Sequence, residues 1–349
     1  MRIDEIEFEL VELPRTERFV IATGASDVVR NWIVRMYAEG MVGYGAAAPN
    51  SVTRETVDTV KISLDALRHA LVDHDIEDPV ELHRLMASAL DGAPAAKAGL
   101  DLAFHDLVSR IEGIPLCEYL GGRVALVLTD ITIGIMGREE AVQRAIHHVR
   151  QGFKALKIKV GTSLRADIER VVAIREALGE GVLLCADANQ GYTVEEALEF
   201  AAGVAEAELQ FLEQPVKAED MDALGMVARA SPVPIMADEA VHDAGDARHA
   251  FEKGIGLVNI KLMKCAGIHG AVEIAALARE MDRGTMIGCM GETGISIAGA
   301  LHFASACRDV VRWADLDSHF MLVHDVCSPP RFESGMLWPE GPGNGVRIV

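Results

Sequence analysis

Charged and apolar residues alternate through IDEIEFELVEL at residues 3–13, the period-2 pattern of a strand that buries one face. NWIVRMYAEGMVGYGAAAP at 31–49 continues the antiparallel pattern and is interrupted by a turn at Glu39-Gly40. The period then lengthens. RETVDTVKISLDALRHALVDHD from residue 54 and AAKAGLDLAFHDLVSRIEG after Pro94 both carry apolar residues at helical spacing. Strands followed by helices predict an α+β unit up to about residue 120.

Past LGG at 120–122 the rhythm changes. Eight short β-rich runs alternate with helical stretches: TDITIGI, ALKIKV, VLLCAD, LQFLEQP, VPIMAD, LVNIKL, TMIGCM and VVRWADLD. The last run has no clear helix after it. Eight such units in about 200 residues predict a compact parallel (β/α) barrel. A doubly wound open sheet would carry a Gly-rich dinucleotide turn after its first strand, and TIGIMGREE lacks one.

Composition narrows the picture. Half of the residues are hydrophobic but only 5% are aromatic, so the core must be aliphatic, which suits an α/β protein. The six cysteines (117, 185, 265, 289, 307 and 327) form no C-x-x-C and read as free thiols of a reducing compartment, without a zinc site. A formal net charge of −20 repels phosphate backbones and disfavours nucleic acid as a partner. The N-terminus does not read as a signal peptide, and no apolar run approaches the ~20 residues that cross a bilayer. A soluble, cytoplasmic protein with no membrane partner is expected, and a homo-oligomer.

The predicted strands end on reactive residues. The second ends at Lys157 and Lys159, the third at Asp187, the fourth at Glu213, the fifth at Asp238 and the sixth at Lys261. From Lys159 onward the intervals are 28, 26, 25 and 23 residues, each about one βα unit. A barrel gathers such strand ends on one face. Any one of these acids alone could be a helix N-cap. Three in register, flanked by lysines, instead make a hard oxygen site suited to Mg²⁺. A nearby metal, a second ammonium and exclusion of water all disfavour the protonated form of Lys159, making it a usable base. Lys261 would face it from across the metal, and Lys157 would support the negative charge that develops when an α-proton leaves a bound carboxylate.

These motifs (K-I-K, D-A-N-Q, E-Q-P, A-D-E and N-I-K-L-M-K-C-A-G-I), with AAKAGLDLAFHDLVSRIEGIPLCEYLGG before them, resemble the enolase superfamily, specifically its muconate lactonizing subgroup. The resemblance implies a modified (β/α)7β TIM-type barrel at 123–324 and an α+β capping domain at 1–122, to which the tail 325–349 returns. It implies one Mg²⁺ on Asp187, Glu213 and Asp238, and Lys159 and Lys261 as paired acid/base groups. Lys157, Thr132, Asn189, Cys289, Gly291, Glu292, Asp315 and Asp317 are expected to meet the substrate. Asp315 and Asp317 form a D-x-D that in dipeptide epimerases binds the free α-ammonium, and GCMGET at 288–293 is similar to the epimerases' G-C-M-x-E-S. The expected activity is therefore epimerisation of an L-Ala-Xaa-type dipeptide at its C-terminal residue by two-base proton transfer. A muconate-type cycloisomerase, an N-acylamino acid racemase and, more distantly, a non-catalytic binding barrel remain alternatives. Alanyl-glutamate epimerases carry an arginine in an N-terminal specificity loop; an ungapped placement puts Thr23 and Gly24 there, with Arg15, Arg18 and Arg30 in the same stretch. Gly24 and Gly291 are expected to leave room and no charge, which favours an uncharged C-terminal residue.

Overall fold

The computed structural model describes residues 1–349. Strands β1 (Glu5–Ile21), β2 (Gly24–Ala38) and β3 (Met41–Ala47) form one antiparallel sheet in that order. Glu39 and Gly40 make the expected turn, both at positive φ (52° and 73°), with Ala38 opposite Met41. Two consecutive left-handed residues match the twist of the flanking strands. The β1–β2 hairpin is longer than the sequence pattern suggested. It runs on to Ile21 opposite Gly24, through an irregular register between Pro14 and Phe19. Polar Arg15, Thr16, Glu17 and Arg18 break the alternation that would have revealed it.

Helices α1 (Val57–Leu71), α2 (Pro79–Ala89) and α3 (Pro94–Ile111) follow. Thr56 and Thr59 cap α1 reciprocally. Helix α2 was not anticipated, although Asp78 accepts Glu81 N–H at 2.8 Å and Pro79 opens its first turn, a regular start signal. Helix α3 lies against the sheet at close range: a Cβ on Gly45 would stand 2.0 Å from Gly99 O.

After α4 (Leu116–Tyr119) and the short β4 (Val127–Leu128), the barrel begins. It runs β5 (Ile131–Ile133), α5 (Arg138–Arg150), β6 (Ala155–Lys159), α6 (Leu164–Leu178), β7 (Leu183–Asp187) and α7 (Val194–Gly203). Then come β8 (Leu212–Glu213), α8 (Met221–Ala230), β9 (Ile235–Ala237), α9 (Ala244–Glu252), β10 (Leu257–Lys261) and α10 (Ile268–Glu280). It ends with β11 (Gly284–Gly288), α11 (Gly294–Ala306) and β12 (Val311–Asp315). All eight strands are parallel neighbours in sequence order, and Asp130 N–H to Ala314 O (3.1 Å) draws the two ends together. A 3₁₀ turn at Ser318–Met321, and no α-helix, follows β12, so the barrel is of the (β/α)7β kind. Strands β13 (Arg331–Glu333) and β14 (Met336–Trp338) pair with each other, and β14 pairs with β4. No helix is long and apolar enough to cross a membrane.

Period-2 alternation sorts the barrel interior into layers. Cys185, Phe211, Met236 and Met286 pack together as an apolar layer with Leu257. Two residues further along their strands come Asp187, Glu213, Asp238 and Gly288. The same face of each strand thus carries an apolar plug below and chemistry above. The β1–β2 hairpin is stitched across this upper end. Ile135 N–H donates to Val20 O (2.9 Å), Val323 N–H to Pro14 O (3.0 Å) and Asn31 Nδ2 to Gly291 O (2.9 Å).

Candidate active site

Strand register sets the ring. Lys159 lies opposite Asp187, Asp187 opposite Glu213, Lys261 opposite Gly288, and Gly288 opposite Asp315. Lys157 Nζ stands 3.1 Å from Asp187 Oδ2, 2.7 Å from Glu213 Oε2 and 2.8 Å from Asp315 Oδ2. Lys159 Nζ donates to Asp187 Oδ2 at 2.6 Å and Lys261 Nζ to Asp238 Oδ2 at 2.7 Å. Lys264, the second lysine of N-I-K-L-M-K, was not singled out in the sequence. It emerges three residues after Lys261 and donates to Asp238 Oδ1 at 2.6 Å. Four lysines thus pair with four buried acids, Asp187, Glu213, Asp238 and Asp315.

Burial alone would raise every acid here, and the lysines decide which ones escape. Lys159 and Lys157 overcome burial at Asp187 and hold it below the usual carboxylate range; Lys261 and Lys264 do the same for Asp238. At Glu213 burial and the charge of Asp187 prevail and push it up to about 8. Burial disfavours the charge on Lys157, yet Asp315, Glu213 and Asp187 hold its ammonium well above the ordinary lysine range. Asp238 likewise outweighs burial at Lys261 and raises it. Asp317, buried beside Asp315, is pushed up to about 6.

The oxygen donors of Asp187, Glu213 and Asp238 fit a small hard cation. Glu213 Oε2 is buried and accepts no hydrogen bond, although the Lys157 ammonium is only 2.7 Å away. The nearby cation already sits on two of the three acids. A different trio, Cys289, Asp315 and Asp317, brings one ligand atom each within 4.8 Å of the others. Burial pushes the Cys289 thiol well up, so it would offer a soft, protonated sulfur that Mg²⁺ does not favour.

Above the ring lies a cavity of about 460 Å³, roofed by the β1–β2 hairpin. Thr23, Gly24, Thr132, Lys157, Lys159, Asn189, Asp238, Lys261, Cys289, Gly291, Asp315 and Asp317 all line it. Asp187 and Glu213 are fully buried behind it. Asn189 donates to Asp187 Oδ2 (3.3 Å) and to Glu239 Oε1 (3.2 Å), and Glu239, which the sequence reading did not assign, also faces the cavity. Thr132 N–H donates to Asp317 Oδ2 at 2.7 Å, while Asp315 Oδ1 is buried without a partner.

Two expectations need correction. Glu292 does not line the cavity. Its carboxylate turns back to accept Met290 N–H at 2.6 Å, and its own N–H donates to Ser318 Oγ, so it shapes the loop. Gly291 leaves little room, and that room is not uncharged: a Cβ there would stand 3.2 Å from Arg15 Nη2 and 3.3 Å from Val29 Cγ2. The ungapped sequence comparison could not place Arg15, because its position depends on how the hairpin crosses the barrel. Gly24 meets nothing within 4 Å, as expected.

Fold and site define an acid–base isomerase, with its reactive groups in a parallel barrel and its roof in a separate sheet. The chain belongs to the mandelate racemase/muconate lactonizing enzyme family: that family's N-terminal domain matches residues 5–121 and the enolase C-terminal domain-like family matches 139–349. It is 39% identical over 326 residues to a hydrophobic dipeptide epimerase of Enterococcus faecalis, covering 92% of each chain. It is 37% identical over 360 residues to an L-Lys-D/L-Arg epimerase of Desulforapulum autotrophicum, covering 100% of each. The crystal structure of a dipeptide epimerase from E. faecalis complexed with Mg and L-Leu-L-Tyr superposes with a TM-score of 0.96 at 37% identity, over 99% of each chain.

Proposed function

We propose that this chain is a Mg²⁺-dependent dipeptide epimerase that inverts the α-carbon of a hydrophobic C-terminal residue. The observation that carries the reading is the placement of two lysines. Lys159 and Lys261 close strands β6 and β10, four apart in an eight-stranded ring and hence on opposite sides, and both face the cavity. A substrate held between them presents each face of its α-carbon to one lysine, so one takes the proton and the other returns it. Asp187, Glu213 and Asp238 would hold the Mg²⁺, which supplies positive charge against the substrate carboxylate. Lys157 adds a fixed ammonium on the same side. Asp315 and Asp317, which both line the cavity, receive the free α-ammonium. Phe19, Ile21 and Val28 with the open Gly24 give the hairpin side of the cavity an apolar patch, beside the guanidinium of Arg15.

The test is incubation with Mg²⁺ in D₂O of Ala-Leu, Ala-Phe, Ala-Lys and Ala-Glu, following epimer ratio and deuterium uptake. Ala-Leu and Ala-Phe should epimerise with the highest kcat/KM. Lys159→Ala and Lys261→Ala should each stop epimerisation, while leaving exchange into one epimer. A tenfold advantage for Ala-Glu would contradict the side-chain assignment, and near-normal epimerisation by Lys261→Ala would contradict the two-base scheme.

A further inference from the structure

Arg15 on β1 is the one cation lining the cavity that meets no carboxylate. Arg30 pairs with Glu12, Lys157 with Asp315, Lys159 with Asp187 and Lys261 with Asp238. Arg15 has instead a weak thioether acceptor, Met321 Sδ, 3.8 Å from Nη1, and its Nε is buried without a partner. A guanidinium has five N–H donors in a rigid fork matched to a carboxylate, so most of this capacity is unused. Burial disfavours its charge, and Asp317 and Cys289 offset this only in part.

The side chain is nonetheless held in place. Arg15 bridges to Leu322 through its backbone, Thr16 Oγ1 donates to Met321 O at 3.3 Å, and the guanidinium carbon lies 5.1 Å from the Phe19 ring centre. Nη2 packs close to Gly291, where a Cβ would stand only 3.2 Å from it. A chain with 53 acidic residues could easily have supplied a partner, and this position has none within ion-pair distance.

Direction decides which part of a substrate would reach it. Arg15 bridges to Leu322, its Nη1 reaches Met321 and its Nη2 lies beside Gly291, in the segments that follow Asp317 and Cys289, so Arg15 sits at the D-x-D end of the cavity. On the epimerase reading, on which this inference rests, that end holds the N-terminal residue of the dipeptide. We propose that Arg15 binds a side-chain carboxylate of that N-terminal residue, making Glu-Xaa and Asp-Xaa dipeptides, with Xaa hydrophobic, the preferred substrate class. The α-ammonium and the side-chain carboxylate of one residue would then meet Asp315/Asp317 and Arg15 respectively.

Comparing kcat/KM for Glu-Leu, Asp-Leu, Ala-Leu, Lys-Leu and Ala-Glu tests this. The parent enzyme should favour Glu-Leu or Asp-Leu over Ala-Leu by at least about tenfold, the worth of one charge-assisted pair. Arg15→Met should bring that ratio close to one, Arg15→Lys should keep part of it, and Arg15→Glu should turn the preference toward Lys-Leu. Ratios between substrates do not depend on how much of a variant folds. Equal use of Glu-Leu and Ala-Leu by the parent, or an unchanged ratio in Arg15→Met, overturns the proposal while leaving the epimerase reading intact. A ratio change confined to Ala-Glu also overturns it, by moving Arg15 to the other end of the substrate. If no dipeptide epimerises, the epimerase reading fails first.

Discussion

The two oxygens of Asp315 have different partners. Oδ2 accepts from Lys157 at 2.8 Å, and Oδ1 is buried with none. An amide at this position removes the negative charge that Lys157 and the incoming ammonium would share. Asp315→Asn should therefore reduce kcat/KM for free dipeptides by about 10- to 100-fold, the equivalent of roughly 1.5–3 kcal/mol for a hydrogen bond to a charged group. Most of the loss should appear in KM if the acid only anchors the ammonium, and in kcat as well if anchoring also sets the α-carbon between the lysines. The control is an N-acetylated dipeptide, which lacks the ammonium and should be a poor substrate for the parent. A strong preference for the acylated compound would point to an N-acylamino acid racemase.

At the scale of elements, the β3–α3 contact is the tightest place in the cap. The position of Gly45 has no room for a methyl, since the obstacle 2.0 Å away is backbone, the carbonyl of Gly99. Gly45→Ala should destabilise the protein by about 1–3 kcal/mol, seen as a lower midpoint in urea or thermal melts. An unchanged midpoint would mean that α3 shifts without penalty. The elements that could be read from sequence were those with an undisturbed period: the turn at Glu39-Gly40, α1, α3 and the eight barrel strands. The extension of β1 and β2 was hidden because Arg15 to Arg18 carry no alternation. Helix α2 was overlooked although Asp78 and Pro79 mark its start. The ring of acids and lysines was legible because strand ends recur at one βα period. Lys264 falls outside that period, and Arg15 reaches the barrel only through the hairpin's docking, which no spacing rule encodes.

Across the whole molecule, His302 of α11 ties three distant segments together. Its Nδ1 accepts Cys117 N–H of α4 at 3.1 Å, and its Nε2 lies 2.8 Å from Glu340 O in the C-terminal stretch, which fixes the neutral tautomer. Burial pulls its pKa down to about 4 against the usual 6.5. A histidine depressed on folding stabilises the protein fully above its unfolded value, and that contribution is lost as pH falls from about 6.5 to 4, on the order of 3 kcal/mol. Raised acids such as Glu292, pushed up to about 7, act in the opposite sense. The informative quantity is therefore the difference between parent and His302→Gln in urea midpoints at pH 7 and pH 4.5. The variant should lose less stability over that window; an equal loss would remove His302 from the account. The C-terminal stretch has a second such tie. Asp106 of α3 is fully buried, and its carboxylate accepts Tyr44 N–H at 2.9 Å, Arg110 Nε at 2.7 Å and Asn344 N–H at 2.7 Å. A ribosome delivers the first two partners early and the third 238 residues after Asp106. The roof over the cavity is thus translated first and completed last, so a nascent chain must carry a half-satisfied acid in its cap until nearly the whole barrel has emerged.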